Sequence, residues 1–347
     1  MDSIPVGVLA ALVGLAGGIV LGLSARLGDF CTLGALESAI YGKDYRRLRL
    51  WGIVLGVAIL GTQGLAIAGL VELSGSFYHS IVWNPLGSIV GGLVFGYGMA
   101  MAGNCGFGAL VRFGGGDLRS LVVVVVMGIF GFVALSGPLA PLRVWLFPQP
   151  DATGPQGIVH DLGSLGIPAG ATVAVIGLGA LAWGLMHGPL RARPAMIAWG
   201  AAAGLAVTWT FLGTSWLYDH SLGEVLVEGP SFTAPVGRTL IYLMTSTAGG
   251  ITFSVGSVVG VMLGALIGSV RRGLFRWEAC EDPRELGRQV GGAALMGVGG
   301  VVAMGCSVGQ GVSAFATLAW SGPVTLAAIA AGAALGLQQL IGGYQPE

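Results

Sequence analysis

The 347-residue chain has no formal net charge, is 54% hydrophobic and only 9% charged, and its mean hydropathy is +0.84. A soluble domain of this size carries about a quarter charged residues, so the composition excludes one, and zero net charge gives no reason to expect a nucleic acid or other polyanion as partner. The chain reads as an all-α polytopic membrane protein whose surroundings are the lipid bilayer, with 64 glycines of the kind that let membrane helices approach closely.

Apolar runs near the ~20 residues that cross about 30 Å of hydrocarbon recur at 6–23, 51–72, 85–103, 120–136, 168–186, 195–213, 251–270, 289–304 and 322–341. These are nine candidate spans. No Lys or Arg precedes the first run, as a cleaved signal peptide would require, so it is expected to be a membrane helix. Basic residues cluster at Lys43–Arg49, 112–119, Arg191 with Arg193, and Arg271–Arg288, and the positive-inside rule assigns these loops to the cytoplasm. Loops 73–84, 137–167 and 214–231, with aromatic, Pro and Gly residues, suit the opposite face. Nine crossings then leave the N-terminus outside and the C-terminus inside. Two further apolar pieces, 31–41 and 233–249, must not cross, and are expected to be re-entrant half-helices buried in protein or lining a cavity.

The spans align as an inverted pseudo-repeat within one transmembrane domain: repeat 1 over 6–136, a connecting helix over 168–186, and repeat 2 over 195–341. A shift of 201 residues carries Cys105 onto Cys306, and Gly96, Gly98 and Gly108 onto Gly297, Gly299 and Gly309. Paired interrupted helices at matching positions of two halves point to a transporter's binding site.

The segment Gly103-Asn104-Cys105-Gly106-Phe107-Gly108 cannot be an uninterrupted helix, since each glycine costs roughly 1 kcal/mol relative to alanine. The break frees backbone N–H groups that need a partner or a ligand, and inward helix ends attract anions. Gly305-Cys306-Ser307-Val308-Gly309-Gln310-Gly311 has the same form, with Ser307 and Gln310 as extra hydrogen-bonding groups. The third cysteine, Cys31, opens the first half-helix in Asp29-Phe-Cys-Thr-Leu-Gly-Ala-Leu36, and its counterpart in the other half is Thr233. A lone cysteine in a membrane helix is usually a small packing residue; the coincidence of cysteine, glycine break and repeat position argues for function at Cys105 and Cys306. Cys280 lies in a charged loop and is expected to play no part. The four cysteines form no metal-ligand spacing, and no metal or cofactor is expected. His79, His160, His187 and His220 fall in or beside loops, where a solvated or interfacial role suffices, and Asp29 and Glu37 beside Cys31 are candidate caps or gates that a loop location explains as well. Arg238 is expected to snorkel to the interface in preference to facing an anion vestibule.

At DFCTLGAL (29–36), AGNCGFGAL (102–110) and MGCSVGQG (304–311) the chain resembles the YeeE/YedE family of sulphur-transport membrane proteins, whose characterised members take up thiosulfate. The resemblance covers essentially the whole chain. It implies a nine-span transporter of the bacterial inner membrane, not an enzyme, with its N-terminus periplasmic and short re-entrant helices narrowing a central path. It also implies three key cysteines, here Cys31, Cys105 and Cys306, and a cytoplasmic TusA-like sulphur-carrier protein as partner. A soft terminal sulfur on the anion suits contacts with weakly donating thiols, and conduction needs binding weak enough for release. Gly103, Asn104, Gly106, Gly108, Gly305, Ser307, Gly309 and Gln310 are then the supporting residues. Two alternatives stay open: a membrane thiol enzyme accepting sulfur as a cysteine persulfide, and a transporter of another reduced sulfur or selenium species.

Overall fold

A computed structural model describes residues 5–154, 156–247, 249–279 and 282–342. The elements in chain order are α1 (Val6–Gly28), α2 (Thr32–Ile40), α3 (Arg46–Ile67), α4 (Phe77–Ser80), α5 (Pro85–Ala102), α6 (Gly106–Gly114), α7 (Leu118–Leu135), α8 (Ala140–Leu146) and α9 (Ile158–Ser164). There follow α10 (Ala169–Leu185), α11 (Gly188–Arg191), α12 (Pro194–His220), α13 (Ala234–Thr245), α14 (Phe253–Arg271), α15 (Pro283–Val302), a π-helical turn (Gly309–Ala314) and α16 (Ser321–Gly342). The protein is an all-α, multi-pass membrane protein.

Each of the nine expected spans falls on a helix. Among the described residues, seven segments are long and apolar enough to cross a membrane by length and composition. The other two expectations rest on α10, which has 17 residues, and α15, whose first two turns carry Arg284, Glu285 and Arg288. Boundaries differ where polar residues continue a helix. α3 begins at Arg46, since long arginine stems cover apolar surface while their heads stay in water. α12 runs on to His220, well past the apolar run that ends near 213. The two half-helices expected at 31–41 and 233–249 are α2, with 9 residues, and α13, with 12.

Packing runs through pairs of glycine-rich faces. α1 lies along α14, where Gly14, Gly18 and Gly22 face the backbone at Phe253, Ser257 and Val261 so closely that a Cβ on any of them would collide. Gly91 and Gly98 of α5 make the same close approach to α15 at Ala303 and Gly292. The contacts are reciprocal: α1 packs on α12 and α14, α12 on α1 and α3, α5 on α15 and α16, and α15 on α5 and α7. The half-helices follow suit, with α2 on α3 and α16, and α13 on α14 and α7. In a membrane this backbone-to-backbone contact supplies the association energy that water exclusion supplies in soluble proteins.

Candidate functional site: three cysteine-capped helix breaks

The three cysteines occupy copies of one local structure. Two residues before each, the chain turns left-handed: Asp29 at φ 57°, Gly103 at φ 73° and Met304 at φ 61°. The turn ends α1 at Asp29 and α5 at Gly103, and follows α15 by two residues at Met304. Glycine adopts this conformation freely and Asp tolerates it, whereas Met304 pays roughly 1–2 kcal/mol of backbone strain. Cys31 and Cys105 are then extended and cap α2 and α6, each sulfur accepting from the backbone N–H three residues on, Gly34 at 3.5 Å and Gly108 at 3.3 Å. Cys306 does the same to Gly309 N–H at 3.3 Å. This is N-capping with sulfur in place of the usual oxygen. Because the sulfur accepts, its S–H is left to donate elsewhere. Thr233, the expected counterpart of Cys31, also precedes a short helix, α13, but makes no side-chain capping bond.

Ser307 lies among the three breaks. Its Oγ accepts from Thr32 Oγ1 at 3.0 Å, next to Cys31, and its side chain lies near Cys105. Cys105 also lies within electrostatic reach of Cys31 and Cys306. Cys306 takes a second backbone donor, Phe232 N–H at 3.3 Å, and its sulfur lies 3.9 Å from Ser231 Oγ. A row of fully buried rings closes the centre: Phe30 and Phe107 have centroids 6.1 Å apart, Phe107 and Phe232 5.2 Å, and Phe30 and Trp51 5.1 Å. Cys105 and Cys306 are fully buried and Cys31 is partly exposed, so the centre is occluded.

The expected supporting residues surround these thiols. Asn104 is buried with Oδ1 unpartnered, and Gln310 donates from Nε2 to Met304 O at 3.0 Å with its Oε1 unpartnered. Gly106 packs against the Met127 side chain and Gly309 against Ser231, each too closely for a Cβ. Gly305 follows the strained Met304.

On one side of Cys306 opens a cavity of about 310 Å³, walled by Ser231, Met304 and Gly305 and carrying Arg143, Glu228 and Arg238. Arg238 lines this cavity and remains exposed, which fits the snorkelling expectation and the vestibule reading alike. It is held there by a 3.3 Å bond from Nη1 to Ser254 Oγ, and Arg143 by a 3.1 Å bond from Nε to Ala134 O. At Cys31 the Arg47 guanidinium approaches Gly34 and lies 3.8 Å from Asp29. A smaller cavity of about 140 Å³ there is lined by Asp29, Asp44, Arg46, Arg47 and Arg193. The Arg46 side chain beside it holds the Asp44 carboxyl down to about 2. His79 is tied in rather than solvated: its ring nitrogens lie 2.8 Å from Gln156 O and 3.2 Å from Thr317 O. Cys280 lies outside the described residues.

Residues 27–335 match the family model described as "Sulphur transport". The chain belongs to this family. It is 27% identical over 331 residues to the thiosulfate transporter TsuA of Escherichia coli strain K12, covering 91% of this chain and 90% of that protein. It is 26% identical over 333 residues to the thiosulfate transporter TsuA of Spirochaeta thermophila, covering 88% and 93% respectively. Both relatives carry transporter names, in line with transport in preference to enzymatic chemistry.

Proposed function

We propose that this protein imports thiosulfate across the bacterial inner membrane, handing the anion along Cys306, Cys105 and Cys31 in turn. The observation that carries this reading is the threefold recurrence of one cysteine-capped break, two of them linked by the Thr32–Ser307 bond, and flanked by arginines on both sides. The anion first meets Arg143 and Arg238 in the outer vestibule, where focused positive potential concentrates it. It then passes the Ser231–Met304–Gly305 wall to Cys306. Each thiol offers a weak S–H donor to the terminal sulfur, and none binds deeply enough to prevent release. Sulfate has no such sulfur and gains nothing from the thiols. The anion leaves past Cys31 and Arg47 toward a cytoplasmic TusA-like sulphur carrier.

The nine-crossing topology belongs to this proposal, with a periplasmic N-terminus, a cytoplasmic C-terminus, and repeats over 6–136 and 195–341 joined by 168–186. The reciprocal helix pairs support it. Under the correspondence α1–α12, α3–α14, α5–α15 and α7–α16, the contact of α1 with α14 becomes that of α12 with α3, and α5 with α16 becomes α15 with α7. A pseudo-twofold axis in the membrane plane puts the broken helices at the midplane. Uptake of labelled thiosulfate by cells expressing the full chain tests the function. Cys105→Ala and Cys306→Ala, at wild-type membrane levels, are expected to abolish uptake, and unimpaired uptake in both would refute it. A persulfide mass adduct on the protein after exposure would favour covalent sulfur transfer instead.

A further inference from the structure

We propose that Glu228 is a proton-operated gate of the outer vestibule, admitting a divalent oxyanion when protonated and opposing it when ionised. This rests on the importer reading and adds a regulator to the same path.

Glu228 lies in the loop between α12 and α13 and lines the cavity that ends at the Ser231–Met304–Gly305 wall of Cys306. Its backbone lies against one hydroxyl, that of Thr214, which is also 2.8 Å from Thr210 O. Thr214 Oγ1 accepts from the Glu228 N–H at 3.3 Å and lies 3.1 Å from the Glu228 carbonyl oxygen. The preceding residue, Val227, is fully buried and forms a β-bridge with Ser76. The backbone that carries the carboxylate is thus held at the cavity and cannot retreat by loop motion without breaking these contacts.

The charged and titratable groups around the cavity are few. α8 brings Arg143, α13 brings Arg238 and α4 brings the phenol of Tyr78, while the segment after α15 brings only Met304 and Gly305. Tyr78 donates from its OH to Gly309 O at 3.0 Å, so it is already engaged with the Cys306 segment. Among the described residues, neither Arg143 nor Arg238 has a carboxylate within 4.0 Å. Two guanidinium charges therefore face the cavity, with Glu228 as the one acidic group on its wall. Ionised Glu228 leaves a net single positive charge, and protonated Glu228 leaves two, matching a dianion. Protonation also converts a repelling oxygen into an O–H donor.

The switch falls in a usable range. Desolvation raises the Glu228 carboxyl to about 7, with Arg238 pulling it the other way. A carboxyl at about 7 is roughly nine-tenths protonated at pH 6 and one-tenth at pH 8, so if the protonated form is the competent one, apparent affinity falls about tenfold across that interval. Thiosulfate stays a dianion throughout, so the change belongs to the protein.

The test is labelled-thiosulfate uptake into proteoliposomes of the full chain, with the same pH on both sides so that no gradient contributes. The wild-type KM is expected to rise about tenfold from pH 6 to pH 8, with Vmax changing much less. Glu228→Gln is expected to keep one low KM at both pH values. Glu228→Asp, which retains a carboxyl, is expected to keep a pH-dependent KM, and serves as the check should the Gln variant fold poorly. A flat wild-type KM, or a Gln variant that keeps the wild-type slope, overturns the gate while leaving the importer intact. Absence of uptake by the wild type at both pH values overturns the importer and the gate with it.

Discussion

Replacing Cys306 separates the two things its sulfur does. The sulfur is fully buried and accepts from two backbone donors, Gly309 N–H and Phe232 N–H, both at 3.3 Å. Cys306→Ala leaves both unpaired. A buried donor without a partner costs about 1–3 kcal/mol, and because sulfur is a weak acceptor the low end applies, about 2 kcal/mol for the pair. The vacated sulfur volume of ~20 Å³ adds about 0.5 kcal/mol at the usual cavity cost. The alanine variant is therefore expected to lose roughly 2–3 kcal/mol, and lost uptake in it is open to a structural explanation. Cys306→Ser removes that explanation. Its Oγ accepts the same two N–H groups, so stability should stay within about 1 kcal/mol of wild type, while the soft S–H donor is gone. Thermal melts in detergent report the first effect and labelled-thiosulfate uptake the second. The expected result is a serine variant that melts near wild type yet takes up thiosulfate at least about tenfold more slowly, a loss of ~1.4 kcal/mol in the barrier. Wild-type uptake by the serine variant would refute stepwise thiol contact, because capping alone would then account for the cysteine.

Ser307→Ala removes the acceptor of Thr32 Oγ1; a stability loss of about 1 kcal/mol with a clear drop in uptake is expected from melts and transport assays. The double variant Arg143→Gln with Arg238→Gln should raise KM on the order of tenfold and flatten its salt dependence, as loss of electrostatic focusing predicts, which an uptake series in added salt would read. Met304→Gly should relieve roughly 1 kcal/mol of left-handed strain and melt no lower than wild type. Gly18→Leu, by contrast, forces a side chain into the Ser257 backbone and should prevent accumulation in the membrane, measured by immunoblot.

What the sequence made legible was whatever it encodes in local chemistry. Glycine on both sides of Cys105 and Cys306 announces a break because no helix interior tolerates that density, and the short apolar pieces at 31–41 and 233–249 announced the short helices α2 and α13. The common left-handed turn two residues before each cysteine was hidden, since Asp29, Gly103 and Met304 share no chemistry and methionine is not a residue that signals this conformation. The vestibule was hidden for another reason. Arg143 on α8 is far along the chain from Glu228 and Arg238, and only the packing of α8 against α13 and the loop before it brings them together. Arg238 alone, read at an interface, satisfies the snorkelling rule equally well. His79 likewise looked like a loop histidine until its ring was seen bridging Gln156 and Thr317.

The charge distribution explains why the centre is built from thiols at all. Arginines stand at both mouths, at Arg143 and Arg238 and again at Arg47, whereas the buried set of Cys105, Cys306, Ser307, Asn104 and Gln310 has no cation. A fixed arginine in that occluded centre would pair with a dianion strongly enough to trap it, because the attraction grows as the local dielectric falls. An empty apolar centre would exclude the dianion outright, since an unpaired charge moved from water into such a medium is penalised by tens of kcal/mol. Weak dipoles in series are the intermediate solution, and the capped breaks supply them as S–H groups whose sulfurs are already anchored by backbone N–H donors. On the proposed path, anchoring fixes where each thiol stands, so the anion would exchange one donor for the next without the protein reorganising around it. This arrangement favours an ion that is soft at one end, and it predicts that selectivity over sulfate is lost before transport is lost as thiols are exchanged for hydroxyls one at a time. Competition of labelled thiosulfate by excess sulfate should thus increase in Cys31→Ser, the partly exposed member of the series, while uptake remains measurable. Unchanged discrimination in that variant would remove Cys31 from the selective path.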